Sequence, residues 1–353
     1  MTDERQVHTA YEEARKRYEE LGVDTEEAMR KLDGIRLSMH CWQGDDVHGF
    51  INPEVDLADG LTVSGNYPGR ARTPDELTDD LHEAMGIIPG KKNVALHTIY
   101  AVTDRKKDLD EIGPEDFKYW VDWAKKENVG LDMNGTFFSH PMVKNNLTLA
   151  SPEKEVRDFW IEVGRQSRRI ANYFGSELGQ QSVNNFWIPD GCKDNPIDKL
   201  SPRQRLIESL DSILEEEFPE SNTIEAYEGK LFGTGIESYT VGSHEFYANY
   251  ALTRGKLWTI DAGHFHPTED VSDKFSAFLA FGKGLQLHVS RPVRWDSDHV
   301  VIMDDALARI TRSLVRDDLL DRTNVGLDFF DATINRIAAW VIGARTTQKA
   351  FLQ

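Results

Sequence analysis

The stretch LQLHVSRPVRWDSDHVV, residues 285–301, carries two patterns at once. Leu285, Leu287 and Val289 alternate with Gln286, His288 and Ser290, so one face is apolar and the other polar, as on a strand. The segment after the strand then presents Asp296 and Asp298 two residues apart, with Trp295 and His299 beside them. A solvated acidic loop is the plain reading of that pair alone. It changes if the strand is one of eight parallel strands of a barrel, because such barrels keep their sites at the C-terminal strand ends.

Seven more segments have strand character: RLSMHCW (36–42), VALHTIY (94–100), VGLDMNG (129–135), VNNFWIP (183–189), TIEAYEGKLF (223–232), LWTIDAGHF (257–265) and VGLDFF (325–330). Amphipathic helical runs separate them. Thr73-Pro74, Pro114, Ser151-Pro152 and Ser201-Pro202 open four of these runs, all with a proline in the first turn and three with a capping hydroxyl before it. Strands alternating with helices predict a parallel sheet, and eight such units predict an α/β fold of the (β/α)8 TIM-barrel type. Residues 1–34 read as an N-terminal helical extension and residues 35–353 as the catalytic barrel domain. A doubly wound open sheet is the rival, but no GxGxxG follows the first strand. GTGIES (233–238) reads as a turn rather than a phosphate loop.

Composition limits the partners. The 353 residues contain 41 Lys and Arg against 60 Asp and Glu, a net charge of −19. That balance opposes binding to nucleic acid or an anionic membrane. The two cysteines, Cys41 and Cys192, form no CxxC pair and no disulfide framework. The charged N-terminus lacks an apolar signal region, and no run is long and apolar enough to span a bilayer. A cytoplasmic protein is expected.

Polar residues collect at the candidate strand ends: His40, His97, Asp132, Trp187 with Asp190, Glu228 with Lys230, Asp261 with His264, His288, and Asp328. A lone strand histidine such as His40 or His97 is more often structural than functional. The later strands are denser. Glu228 and Lys230 share a face, within surroundings too apolar to leave charge unpaired. Gly263 would end its strand and swing His264 round to join Asp261. Asp331, just after Asp328, reads equally as a helix cap.

Glu228, Asp261, Asp296, Asp298 and Asp328 converging on one barrel mouth would repel by roughly 4 kcal/mol per pair at ~4 Å and an effective dielectric of about 20. Two divalent metal ions would resolve this. Oxygen-rich shells with His264 and His288 suit Mn²⁺ or Mg²⁺, with Zn²⁺ or Co²⁺ as further candidates.

SMHCWQGDD (38–46), GNYPG (65–69), NFWIPDG (185–191), ESYTVGS (237–243), IDAGHFHPTE (260–269), HVSRPVRWDSDHVV (288–301) and GLDFFDATINRIAAWVIG (326–343) together resemble bacterial L-rhamnose isomerases along nearly the whole chain. The resemblance implies a metal-dependent aldose–ketose isomerase, cytoplasmic and homotetrameric, that converts L-rhamnose to L-rhamnulose as the first step of rhamnose catabolism. It implies that His264, Asp296 and Asp298 hold the catalytic metal, Mn²⁺ being the first expectation. Glu228, Asp261, His288 and Asp328 would hold the metal that anchors the substrate. Lys230 would meet the carbonyl-end oxygen. Trp187 would wall the sugar pocket, and Trp42, Phe330 and Phe137 are candidates for the methyl-binding wall. Members of the family continue further in a helical C-terminal extension, whereas this sequence stops at Gln353, so the resemblance bears on the chemistry more than on the packing of the barrel base and the tetramer contacts.

For the chemistry, a metal-assisted hydride shift is expected, with a water on the metal, held by Asp328 and His97, moving the hydroxyl proton. An enediol route is the alternative. A hydrophobic pocket rejects an added hydroxyl only about a hundredfold, so turnover of L-mannose or L-lyxose is expected as well. A metal-dependent nuclease and a non-catalytic sugar-binding protein are the rival classes.

Overall fold

In the computed structural model the described residues are 3–51, 69–231, 238–331 and 333–353, with the side chains of Trp295 and Asp296 outside the description. The GNYPG and GTGIES segments thus lie outside the described residues except for Gly69 and Ser238.

Eight parallel strands close into a barrel: β1 (Leu37–His40), β2 (Lys92–His97), β3 (Gly130–Asn134), β4 (Ser182–Trp187), β5 (Thr223–Glu228), β6 (Leu257–Asp261), β7 (Gly284–Val289) and β8 (Thr323–Leu327). β1 closes the ring by pairing with β2 on one side and β8 on the other, at Leu37↔Lys92 and Leu37↔Val325. A helix follows each strand: α3 (Pro74–Ile87), α4 (Lys118–Glu127), α5 (Lys154–Leu178), α6 (Leu200–Ile213), α7 (His244–Arg254), α8 (Asp273–Leu279), α9 (Asp305–Arg316) and α10 (Arg336–Leu352). This is the (β/α)8 barrel expected from the sequence. Ahead of it stand α1 (Glu4–Glu20) and α2 (Thr25–Gly34), neither of which buries a residue. They are tied by the Tyr11 hydroxyl, which donates to Glu26 Oε1 at 2.5 Å.

The expected caps hold in outline and shift in detail. Thr73 Oγ1 accepts from Glu76 N at 3.2 Å, with Pro74 in the first turn of α3. Pro114 opens a 3₁₀ turn, and α4 proper starts at Lys118. α5 starts at Lys154 rather than at Pro152, while Ser151 Oγ accepts from Glu153 N just before it. Lys199 is the cap position of α6, Asp198 just before it accepts from the amides of Leu200 and Ser201, and Ser201 lies inside the helix. α9 shows the packing logic most simply. Leu307, Ile310, Thr311 and Leu314 recur at helical spacing and are buried.

The main core lies between the outer barrel face and the helices, where Trp120, Trp160, Trp340, Phe174 and Tyr227 are fully buried. A smaller apolar set, Val183, Ile224, Ala226 and Leu257, forms its own cluster. Away from the barrel mouth, the buried Glu225 is paired: it accepts from Arg168 Nε at 2.6 Å and Lys256 Nζ at 2.5 Å. Asp132 also sits below the mouth. It accepts from Ser38 Oγ, Asn93 Nδ2 and Val183 N, so the residue that ends β3 at the mouth is Asn134.

Candidate metal centre

The C-terminal ends of β5 to β8 place Glu228, Asp261, His288 and Asp328 together. All four offer ligand atoms within 4.8 Å of one another. A second group, Asp261, His264 and Asp298, meets the same criterion and shares Asp261 with the first. Strand alternation accounts for Glu228, Asp261 and His288, which all lie within or at the end of their strands with side chains turned inward.

His264 arrives by a different device. Ala262–His264 form one 3₁₀ turn after β6. Gly263 N donates to Asp261 Oδ1 at 2.6 Å and to Ser290 Oγ at 2.7 Å. A Cβ at this position would collide with Asp298 Oδ1, Ser290 Oγ and the Ser297 carbonyl. The glycine is therefore needed for space rather than for a positive φ.

The segment after β7 is a hairpin, not a loop: Arg291–Val293 pairs antiparallel with Trp295–His299, turning through Arg294 at φ 74°. It folds Asp298 back over His264, with Asp298 Oδ2 3.4 Å from His264 Nε2. The side chain of Asp296 lies outside the described residues, so its expected ligand role is neither placed nor displaced.

Distances within the groups are short. Glu228 faces both histidines, with Oε1 3.0 Å from His264 Nδ1 and Oε2 3.4 Å from His288 Nδ1. Asp328 Oδ2 lies 3.2 Å and Asp261 Oδ2 3.7 Å from the same His288 Nδ1. Yet Glu228 Oε1, Asp261 Oδ2, His288 Nδ1 and Asp298 Oδ1 are buried without a hydrogen-bond partner among the described residues. Buried polar atoms are ordinarily paired, and four bare ones converging on two points mark a place built for cations. Oxygen and imidazole donors without thiolate suit Mn²⁺, Mg²⁺, Co²⁺ or Zn²⁺.

The electrostatics agree. Burial pushes the Asp261 carboxyl well up, as do the charges of Asp298, Asp328 and Glu228, against the pull of His264. Burial also raises Asp328. Burial opposes ionisation of both imidazoles, yet His264 and His288 are held well above the ordinary range by the surrounding carboxylates. For Glu228 and Asp298 burial is again the first influence, but His288 and His264 overcome it and hold both carboxyls low. The whole cluster calls for positive charge.

Above the groups lies a cavity lined by Val47, His97, Phe138, Trp187, Lys230 and Phe330, with Asn134 and Asn185 at its side. Lys230 Nζ lies 5.4 Å from the Trp187 ring centroid, a cation–π contact. Burial lowers His97 to about 3, so it stands neutral beside the cavity. Trp187 and Phe330 line this cavity. Trp42 lies behind it, its ring 4.7 Å from His97 and its Nε1 donating to Asp328 Oδ1 at 3.0 Å. Phe137 is turned into the core against Trp160 and Phe186, and the cavity wall is its neighbour Phe138. Asp331 is occupied elsewhere, accepting from Thr333, while Asn335 caps α10. His266 pairs with Thr268 at the surface, and His40 Nε2 lies 2.7 Å from the Phe329 carbonyl.

The fold and the site define a (β/α)8-barrel protein with a paired carboxylate–imidazole centre at its mouth. Its barrel resembles those of a D-tagatose 3-epimerase-like protein (TM-score 0.56, 11% identity, covering 90% of this chain and 98% of that one). It also resembles D-psicose 3-epimerase of Clostridium cellulolyticum H10 (TM-score 0.52, 10% identity, 90% and 96% covered). At such identities the likeness is one of fold. The sequence relationship is more specific. A family model for L-rhamnose isomerase matches residues 5–353. L-rhamnose isomerase of Lactiplantibacillus plantarum is 75% identical over 352 residues, covering 100% of this chain and 82% of the relative. That of Listeria monocytogenes serovar 1/2a is 61% identical over 353 residues (100% and 84% covered), and that of Salmonella paratyphi B 54% over 348 residues (99% and 83%). The chain belongs to the L-rhamnose isomerase family.

Proposed function

We propose that the protein interconverts L-rhamnose and L-rhamnulose at the mouth of its barrel and depends on two divalent metal ions to do so. The observation that carries the reading is the pair of buried ligand groups sharing Asp261 beneath a cavity that also presents Lys230 and Trp187. Glu228, Asp261, His288 and Asp328 would hold one ion, and His264 and Asp298 with Asp261 the other; Asp296 is proposed for the second from the family resemblance. When bound, the ions supply Lewis acidity and a template that fixes two substrate oxygens.

The protein's own groups account for the rest. Lys230 sits where an oxygen at the carbonyl end would develop charge, and it stabilises that charge. His97, held neutral by its burial, and Asp328 border the cavity and orient the C2 hydroxyl, whose proton ends on the C1 oxygen as the hydride moves from C2 to C1. Trp187, Phe138 and Phe330 give the apolar wall that a 6-deoxy sugar's methyl group requires, and exclude water from the reacting carbons. Hydrogen then passes between C1 and C2 as a hydride within the substrate. Manganese is the ion that the donor set and the family resemblance favour. The resemblance also supports a cytoplasmic homotetramer acting at the first step of rhamnose breakdown.

Turnover in D₂O tests the transfer. Product with almost no deuterium at the receiving carbon is expected. Substantial incorporation would replace the hydride shift with proton transfer through an enediol.

A further inference from the structure

Glu228 stands within 3.4 Å of both histidines, Asp261 belongs to both ligand groups, and each carboxylate is gripped from behind. Ser290 Oγ and Gly263 N donate to Asp261 Oδ1. Glu228 has a grip of another kind. Asn185 Nδ2 donates to Glu228 Oε2 at 2.5 Å, and Asn185 Oδ1 accepts from Thr259 Oγ1 at 2.7 Å. All three residues are buried, Thr259 completely.

The polarity of this chain is fixed by chemistry. An ionised carboxylate only accepts, so the amide must turn its NH₂ to Glu228 and its oxygen to Thr259. The Thr259 hydroxyl must then donate. Its position follows from the sheet. Asn185 lies on β4 and Thr259 on β6, with Glu228 on β5 between them, paired in register with Thr259. Inward side chains of alternate barrel strands meet in one layer. The Asn185 amide of β4 and the Thr259 hydroxyl of β6 thus meet beside the carboxylate of β5.

We infer that Asn185, locked by Thr259, is a positioning residue that fixes the Glu228 carboxylate between His264 and His288, and so sets the affinity of both proposed metal sites. The inference rests on the metal-dependent reading above. Without the amide donor, Glu228 is free to turn towards one imidazole and away from the other. Donors behind a metal-binding carboxylate are typically worth 10–100-fold in metal affinity. Asn185 also borders the sugar cavity, so a direct substrate contact is the competing role.

The test is Co²⁺ binding to the full-length protein without sugar, followed by titration calorimetry and visible absorption. It compares wild type with Asn185→Ala, Thr259→Val and Thr259→Ser. Asn185→Ala is expected to weaken Co²⁺ binding at both sites by at least about tenfold and to change the absorption bands. Thr259→Val is expected to do so less, and Thr259→Ser, which keeps the hydroxyl, to restore wild-type values. Steady-state turnover should show a fall in kcat. Wild-type Co²⁺ affinity and spectrum in folded Asn185→Ala, with only KM raised, would overturn the inference and make Asn185 a substrate contact. If Asn185→Ala fails to fold, unchanged Co²⁺ binding in Thr259→Val would overturn it equally. A wild-type protein that binds no Co²⁺, or binds it unchanged after Glu228→Gln, would instead remove the metal reading on which the inference stands.

Discussion

The indole Nε1 of Trp42 donates a hydrogen bond of 3.0 Å to Oδ1 of Asp328, joining the end of the first barrel strand to the end of the last. Asp328 Oδ2 remains turned to His288 Nδ1 at 3.2 Å. Trp42 thus lies against Asp328 and outside the cavity lining, a placement that favours a role through Asp328. Trp42→Phe keeps most of the buried ring and removes the donor. It should lower metal affinity or turnover about tenfold, with little change in KM for rhamnose. Steady-state kinetics at several Mn²⁺ concentrations check this. A rise in KM alone would return Trp42 to the pocket wall.

Binding of metal should also show in stability. The proposed ligands sit buried with their charges opposed, so ligand-free protein carries a penalty that a cation removes. Mn²⁺ at 100 times its Kd should stabilise chelator-treated protein by about 2.7 kcal/mol. Asp261→Asn gives the sharper test. Burial and the neighbouring carboxylates disfavour the Asp261 anion. The variant should melt higher than wild type without metal and gain little on adding Mn²⁺. Differential scanning calorimetry with and without chelator measures both. A variant that melts lower in chelator would show that Asp261 stabilises the fold on its own account.

A pH dependence follows from Asp45. Burial lifts its carboxyl to about 7, against hydrogen bonds from Tyr100 Oη and Gly49 N and the charge of Arg70. In the unfolded chain the group returns to the ordinary carboxylate range near 4. Between those values the native protein binds more protons than the unfolded chain, so stability falls as pH rises. The contribution is fully present below about 4 and lost through about 7, with a slope of at most about 1.4 kcal/mol per pH unit. His40 and His97, lowered to about 3 by burial, act in the opposite sense: their contribution is lost as pH falls below the ordinary histidine range. The comparison with Asp45→Asn isolates the aspartate. Urea unfolding of both proteins from pH 4 to pH 8 should give curves that converge or cross as pH rises. Parallel curves would mean that Asp45 stays ionised throughout.

The parts of the site that strand periodicity controls were legible in the sequence. Alternation in LQLHVS aims His288 inward, and the same rule aims Glu228. It also aims Asn185, which shares a face with Trp187 in VNNFW and was passed over because an asparagine amid strand residues carries no charge to notice. Legibility stopped where alternation stops. Phe137 and Phe138 follow the end of β3, so period two no longer says which ring reaches the cavity. Trp42 lies in the 3₁₀ turn Cys41–Gln43, and its partner Asp328 is far along the chain. Barrel closure, not local pattern, brings them together. Asp132 was displaced from the mouth because β3 runs two residues beyond it. The hairpin at 291–299 has no clear strand signal in the sequence, since its strands are short and one of them contains a proline.

Metal-dependent isomerisation of L-rhamnose at the Asp261-centred site can be read in a single assay. The most direct measurement is L-rhamnulose formed by purified protein with Mn²⁺, after chelator treatment, and after Mn²⁺ is restored, beside Asp261→Asn under the same conditions. Ketose that appears with Mn²⁺, disappears with chelator, returns on restoring the ion and is absent from the folded variant is the expected result. Undiminished rhamnulose formation by chelator-treated protein, or by Asp261→Asn, would contradict the account.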